Sequence, residues 1–121
     1  MSLLQLLSIG LAGSIGALAR FQIDTAVSLR SDTGFPLGTF VVNISGAFLL
    51  GLLTGLAVPS DLQRFFAVGV LGSFTTFSTW MFETQRLAEA GRTKPAGLNI
   101  ALSLAVGIFA VWLGREIGGL L

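Results

Sequence analysis

Neither cysteine nor histidine occurs in this 121-residue chain. Disulfides, thiol chemistry, haem ligation and nearly every zinc or copper site are excluded with them. Charge is scarce too: Asp, Glu, Lys and Arg make up 11% of residues, against about 25% in a soluble domain. Six carboxylates and a net charge of +1 leave little acid–base machinery and no basic footprint for nucleic acid. A chain so poor in charge cannot dress a water-facing surface. Its 53% hydrophobic content and mean hydropathy of +0.86 put that surface in lipid.

Charge-free stretches locate the spans: Met1–Ala19, Thr33–Ser60 with Pro36 near its start and Pro59 closing it, Phe65–Phe82, and Pro95–Gly114. The helices are expected at about 2–23, 36–58, 63–89 with a break near 72–78, and 96–115, all within a single transmembrane domain over 1–121. Each approaches or exceeds the roughly 20 residues that cross the hydrocarbon core. The first charge, Arg20, lies at the far end of its apolar run, the reverse of a signal peptide, so Met1–Ala19 is expected to be a membrane helix. Connections at roughly 24–35, 59–64 and 89–96 are short, which makes sequential neighbours antiparallel and leaves no room for a catalytic loop domain. Arg30, Arg86, Arg92 and Lys94 lie on one side, Arg64 and Arg115 on the other. That small bias leans the first and third loops towards the cytoplasm.

Polar residues inside the spans fall in stripes. The second span carries Thr39, Asn43, Ala47, Gly51 and Gly55 four apart, on one helical face. Its glycines suit close helix packing, whereas an amide in lipid, as at Asn43, marks an interior contact or a pathway. The fourth span repeats the pattern with Asn99, Ser103 and Gly107. Arg20 follows Ser8, Ala12 and Gly16 on one face of the first span. It is either an arginine snorkelling to the interface or a fixed charge drawing anions into a vestibule.

The third span is the unusual one. From Ser73 to Thr79, five of seven residues carry hydroxyls, and Gly69 and Gly72 precede them. Hydroxyl side chains compete for backbone hydrogen bonds and glycine weakens a helix, so a break in mid-membrane is expected. Such breaks survive only when buried in protein or lining a water-filled cavity. Phe74, Phe77 and Trp80 recur every three residues. They are either packing aromatics or rings whose positive edges help to coordinate a desolvated anion.

Three segments carry a family resemblance: Gly13-Ser14-Ile15-Gly16-Ala17-Leu18-Ala19-Arg20-Phe21, Gly38-Thr39-Phe40-Val41-Val42-Asn43-Ile44-Ser45-Gly46, and the stretch from Gly69 to Trp80 with its Gly72-Ser73-Phe74-Thr75-Thr76-Phe77-Ser78-Thr79 core. In length, span number and motif order the chain resembles the Fluc (CrcB) fluoride channels. The resemblance implies an all-α membrane protein: an antiparallel, dual-topology homodimer with two separate fluoride pores in the cell's inner (plasma) membrane. It implies that Asn43 and Phe77 line the pore, that Thr39 and Ser78 stand near it, and that Arg20 is the vestibule arginine. It also implies a structural sodium ion held by the backbone carbonyls of Gly72 and Thr75 from both subunits. Two positions depart from the pattern: Trp80 stands where members usually carry a second phenylalanine, and Asn99 where a Tyr or His often begins the polar track on the last helix.

The function expected is passive export of fluoride down its electrochemical gradient, without covalent chemistry and so without enzyme activity. Donors from Asn43, Ser78, Thr79, Asn99 and Ser103, together with ring edges, replace the ion's water, while Arg20 raises the local anion concentration. Two other classes fit four short spans. A small proton-coupled drug exporter needs a carboxylate deep in the membrane, for which Glu83 is the only candidate. A structural or accessory subunit explains the glycine stripes but leaves the hydroxyl-rich third span without a role.

Overall fold

The computed structural model describes residues 1–121 as an all-helical chain. Helix α1 covers Leu3–Arg30 and α2 covers Leu37–Leu56. The third span starts as α3 (Ser60–Gln63), continues as a π-helical segment (Arg64–Leu71) and ends its first half in α4 (Gly72–Phe74). After Thr75–Phe77 it resumes as α5 (Ser78–Glu89), and α6 (Thr93–Leu120) follows. Four stretches are long and apolar enough to cross a membrane: Leu3–Arg30, Leu37–Leu56, Ser60–Glu89 and Thr93–Leu120. The chain is a multi-pass membrane protein.

Local chemistry sets the ends. Ser2 opens α1 with a reciprocal cap: its Oγ accepts from the Gln5 amide at 3.2 Å while its own amide donates to Gln5 Oε1 at 2.8 Å. Pro59 prevents α2 from continuing, and Ala57 turns into the left-handed region at its end. Pro95 sits in the first turn of α6, where a missing amide hydrogen costs nothing.

Four helix limits differ from those the apolar runs suggest. α1 does not end near residue 23 but reaches Arg30, the third span begins at Ser60, and α6 covers Thr93–Leu120. The reason is that charge ends an apolar run without ending a helix. Asp24, expected in the first loop, lies within α1, where its Oδ1 accepts from Ser28 Oγ one turn on, at 3.2 Å.

Glycine decides how closely the helices approach. α2 and α6 form the most extensive pairing. A Cβ on Gly51 or Gly55 would fall on the carbonyl oxygens of Val111 and Arg115, and one on Gly114 would strike that of Phe48. The lower part of the α2 stripe is thus a packing face. α1 meets the π-helical segment in the same way: a Cβ on Gly16 would strike the Val70 carbonyl, and one on Gly69 would come within 2.8 Å of the Ala12 methyl. Only 16 of 121 residues are buried, so most of the apolar surface is left for lipid or for another protein surface. Leu4, Leu7, Leu11, Ile15 and Leu18 lie exposed along α1.

Candidate ion pathway at the Thr75–Phe77 segment

Between α4 and α5 the backbone leaves the helical region: Thr75 has φ −82° and ψ 159°. Two side chains take up the hydrogen bonds released there. Asn43, on α2, grips the Thr76 peptide at both edges: Nδ2 donates to its carbonyl at 2.8 Å, and Oδ1 accepts from its N–H at 2.8 Å. Thr76 Oγ1 accepts from the Thr79 amide at 3.2 Å and so supports the start of α5.

These bonds have a consequence for two carbonyls. In an unbroken helix the Thr76 amide would donate to Gly72 and the Thr79 amide to Thr75. Both amides are turned to side chains instead, so the Gly72 and Thr75 carbonyls have lost their helical donors. The neighbouring Ser73 carbonyl accepts from Arg20 Nε at 3.2 Å. The half-buried Arg20 therefore meets the end of α4 across the α1 contact and is not a free surface charge.

The aromatic residues lie just beyond. Phe77 is 70% exposed, and its ring meets that of Trp80 edge to face, 5.7 Å between centroids at 81°. Trp80 Nε1 donates to the Asn99 carbonyl of α6 at 3.0 Å. Asn99 Nδ2 donates to Thr84 Oγ1 at 2.8 Å, and Thr84 Oγ1 donates to the Trp80 carbonyl at 2.8 Å. Ser78 is exposed and its Oγ lies 3.5 Å from Thr76 Oγ1.

Four polar atoms are buried without a partner: Thr39 Oγ1, Glu83 Oε1, Asn99 Oδ1 and Ser103 Oγ. Native interiors rarely leave such atoms bare, and each wants a water or an ion. Of these residues only Glu83 lines a cavity of about 480 Å³, which opens between the end of α1, the first loop and α5, with Ser28, Asp32, Phe35, Arg86 and Arg92 also in its wall.

The structure thus joins Arg20 to Ser73, Asn43 to Thr76, and Phe77 through Trp80 to Asn99. Thr39 is buried and Ser103 half-buried, and the hydroxyl of each is covered without a hydrogen bond to that group. Sequence reasoning did not single out Thr84, or the backbone of Ser73 and Thr76. Thr84 alone left a signal, since it stands one turn from Trp80 on the face that reaches α6.

A family model described as "CrcB-like protein, Camphor Resistance (CrcB)" matches residues 7–115. The "Fluoride-specific ion channel FluC 2" of Mycobacterium tuberculosis is 48% identical over 107 residues, covering 88% of this chain and 85% of that protein. The protein of the same name from Mycolicibacterium paratuberculosis is 44% identical over 112 residues, 93% of this chain and 92% of its own. The "Fluoride-specific ion channel FluC" of Hydrogenovibrio crunogenus is 42% identical over 116 residues, 92% and 88% of the two chains.

Proposed function

The chain belongs to the CrcB family, and from that premise we propose that it is a fluoride-specific channel of the inner (plasma) membrane. It is a conductor and not an enzyme. Fluoride crosses membranes as neutral HF, sheds its proton in the more alkaline cytoplasm and is trapped there as the anion. A passive pathway returns it outward, driven by a negative interior worth about 2.3 kcal/mol per charge per 100 mV.

One observation carries the reading. The polar segment Ser73–Thr79 interrupts an otherwise apolar span, and a buried-face amide, Asn43, is committed to holding it open. In lipid, non-helical backbone is tolerated only inside protein or beside water. We place the interruption in mid-membrane and the pathway along it, past Asn43, Phe77, Ser78, Thr79 and Trp80, with Thr39, Asn99 and Ser103 on its polar flank. Arg20 contributes positive charge from its seat at the Ser73 carbonyl.

The exposed Phe77 and the apolar outer face of α1 call for cover, and an antiparallel homodimer with two pathways supplies it. The Gly72 and Thr75 carbonyls, stripped of their helical donors, are hard oxygen ligands suited to a sodium ion shared between two subunits. When bound, such an ion would tie the two interrupted helices together as a structural bridge.

Purified protein in liposomes loaded with potassium fluoride tests the channel. Addition of valinomycin should release fluoride rapidly and chloride hardly at all. Intact, monodisperse protein that releases neither, or both alike, would overturn it. A proton-coupled exporter would instead respond to a pH gradient, and a packing subunit to nothing.

A further inference from the structure

Trp80 and Asn99 are joined twice. The Trp80 indole Nε1 donates to the Asn99 main-chain carbonyl at 3.0 Å. In return the Asn99 amide reaches the backbone of Trp80 through Thr84, by the bonds of 2.8 Å and 2.8 Å already described.

The proton count fixes which way that amide faces. A threonine hydroxyl has one hydrogen, and Thr84 directs it to the Trp80 carbonyl, so towards Asn99 it can only accept. Only the NH₂ edge of Asn99 fits against it. The second hydrogen of the same NH₂ points to the Trp80 carbonyl at 3.5 Å. Oδ1 is therefore turned away, buried and without a donor. Asn99 is 1% exposed, its donors are in use and its free atom is an acceptor, so it has nothing to offer an anion.

The indole is seated on the main-chain carbonyl of residue 99, and the Asn99 side chain fixes where that carbonyl stands by tying α6 to the Trp80 turn through Thr84. A phenyl ring at position 80 would need no acceptor; a buried indole N–H does. With that bond made, the indole is fixed edge to face against Phe77. We propose that Asn99 is a positioning residue for Trp80. It sets the direction of the indole beside Phe77 on the conduction pathway, and does so without touching the conducted anion. The pathway part of this statement rests on the channel reading above.

Trp80 and Trp112 are the two tryptophans of the chain, so in a Trp112→Phe parent the emission reports Trp80 alone. Asn99→Ala and Thr84→Val should each move that emission to longer wavelength and lower its anisotropy. Each should also cut fluoride efflux roughly tenfold, the worth of one lost hydrogen bond. Adding Trp80→Phe should erase most of the Asn99→Ala penalty, because positioning acts only through the indole. An unchanged emission in Thr84→Val would overturn the proposal. So would an Asn99→Ala penalty of equal size with and without Trp80→Phe, the signature of a direct ligand. Should Asn99→Ala fail to fold, Thr84→Val, which keeps the side-chain shape, decides the matter. If the unsubstituted protein conducts no fluoride, the channel reading fails, while the emission in the Trp112→Phe background still tells whether Asn99 positions the indole.

Discussion

Asn43 and Thr76 meet as two amides would in a sheet, with Nδ2 on the carbonyl and Oδ1 on the N–H, each at 2.8 Å. A side chain of α2 thereby replaces the two backbone bonds that Thr76 forgoes by leaving the helix. Asparagine alone among small residues supplies a donor and an acceptor at that spacing.

Asn43→Asp keeps the acceptor but sets a second oxygen against the Thr76 carbonyl. A buried group left unsatisfied costs about 1–3 kcal/mol. Fluoride efflux should fall sharply and the melting temperature of the detergent-solubilised protein should drop, with the elution volume on size-exclusion chromatography unchanged from the parent. Full efflux with an unchanged melt would show that Thr76 needs no such partner.

Phe77→Ile removes the ring that meets Trp80 edge to face and is 70% exposed. Because so little of it is buried in one chain, the fold should tolerate the change. Efflux should be lost while chromatographic behaviour stays that of the parent. Parental rates would move the pathway away from this residue.

Arg20 is tested by comparing Arg20→Lys with Arg20→Gln. Hydrogen bonds from charged groups are worth about 1.5–3 kcal/mol, and that to the Ser73 carbonyl depends on guanidinium reach. Both variants should melt earlier than the parent, with lysine the milder. If lysine matches the parent in both melting and efflux, charge alone matters and the carbonyl contact does not.

Gly51→Val places carbon where the Val111 carbonyl already lies, in a backbone contact that cannot yield as a side chain would. Overpacking of this kind costs about 1–3 kcal/mol or more, so the variant should melt early or aggregate. Gly119→Ala, where a Cβ would meet nothing within 4 Å, is the matched control and should leave the melting temperature unchanged.

Replacing sodium by a bulky organic cation tests the two freed carbonyls. Thermal stability should fall in its absence and return on adding sodium chloride. Identical melting curves in both salts would mean that water or a neighbouring group satisfies Gly72 and Thr75.

How far the sequence could be read depends on what kind of partner each residue has. Apolar runs bounded by charge located the four spans, because lipid imposes that requirement on every residue facing it. The four-residue spacing of Ala47, Gly51 and Gly55 marked a face, and α6 packs along it. The hydroxyls of Ser73–Thr79 marked the stretch in which α4 ends and α5 begins. The partners of that segment were hidden: Asn43 binds the peptide of Thr76 and Arg20 binds the carbonyl of Ser73, and backbone groups are the same at every position. Helix limits at Arg30 and Leu120 were hidden for a different reason, since charged residues end an apolar stretch without ending the helix that carries it.

The π-helical turns of Arg64–Leu71 precede everything just discussed. A π-helix holds an additional residue in each hydrogen-bonded ring relative to an α-helix. Gly69 is pinned against Ala12 on one side of it, while Thr76 is pinned to Asn43 further along. The residue count between these two anchors is therefore a fixed quantity. Losing one residue there would let the coil tighten and swing the hydroxyl-bearing turn off Asn43, whereas the outer loops can lengthen or shorten without disturbing either anchor.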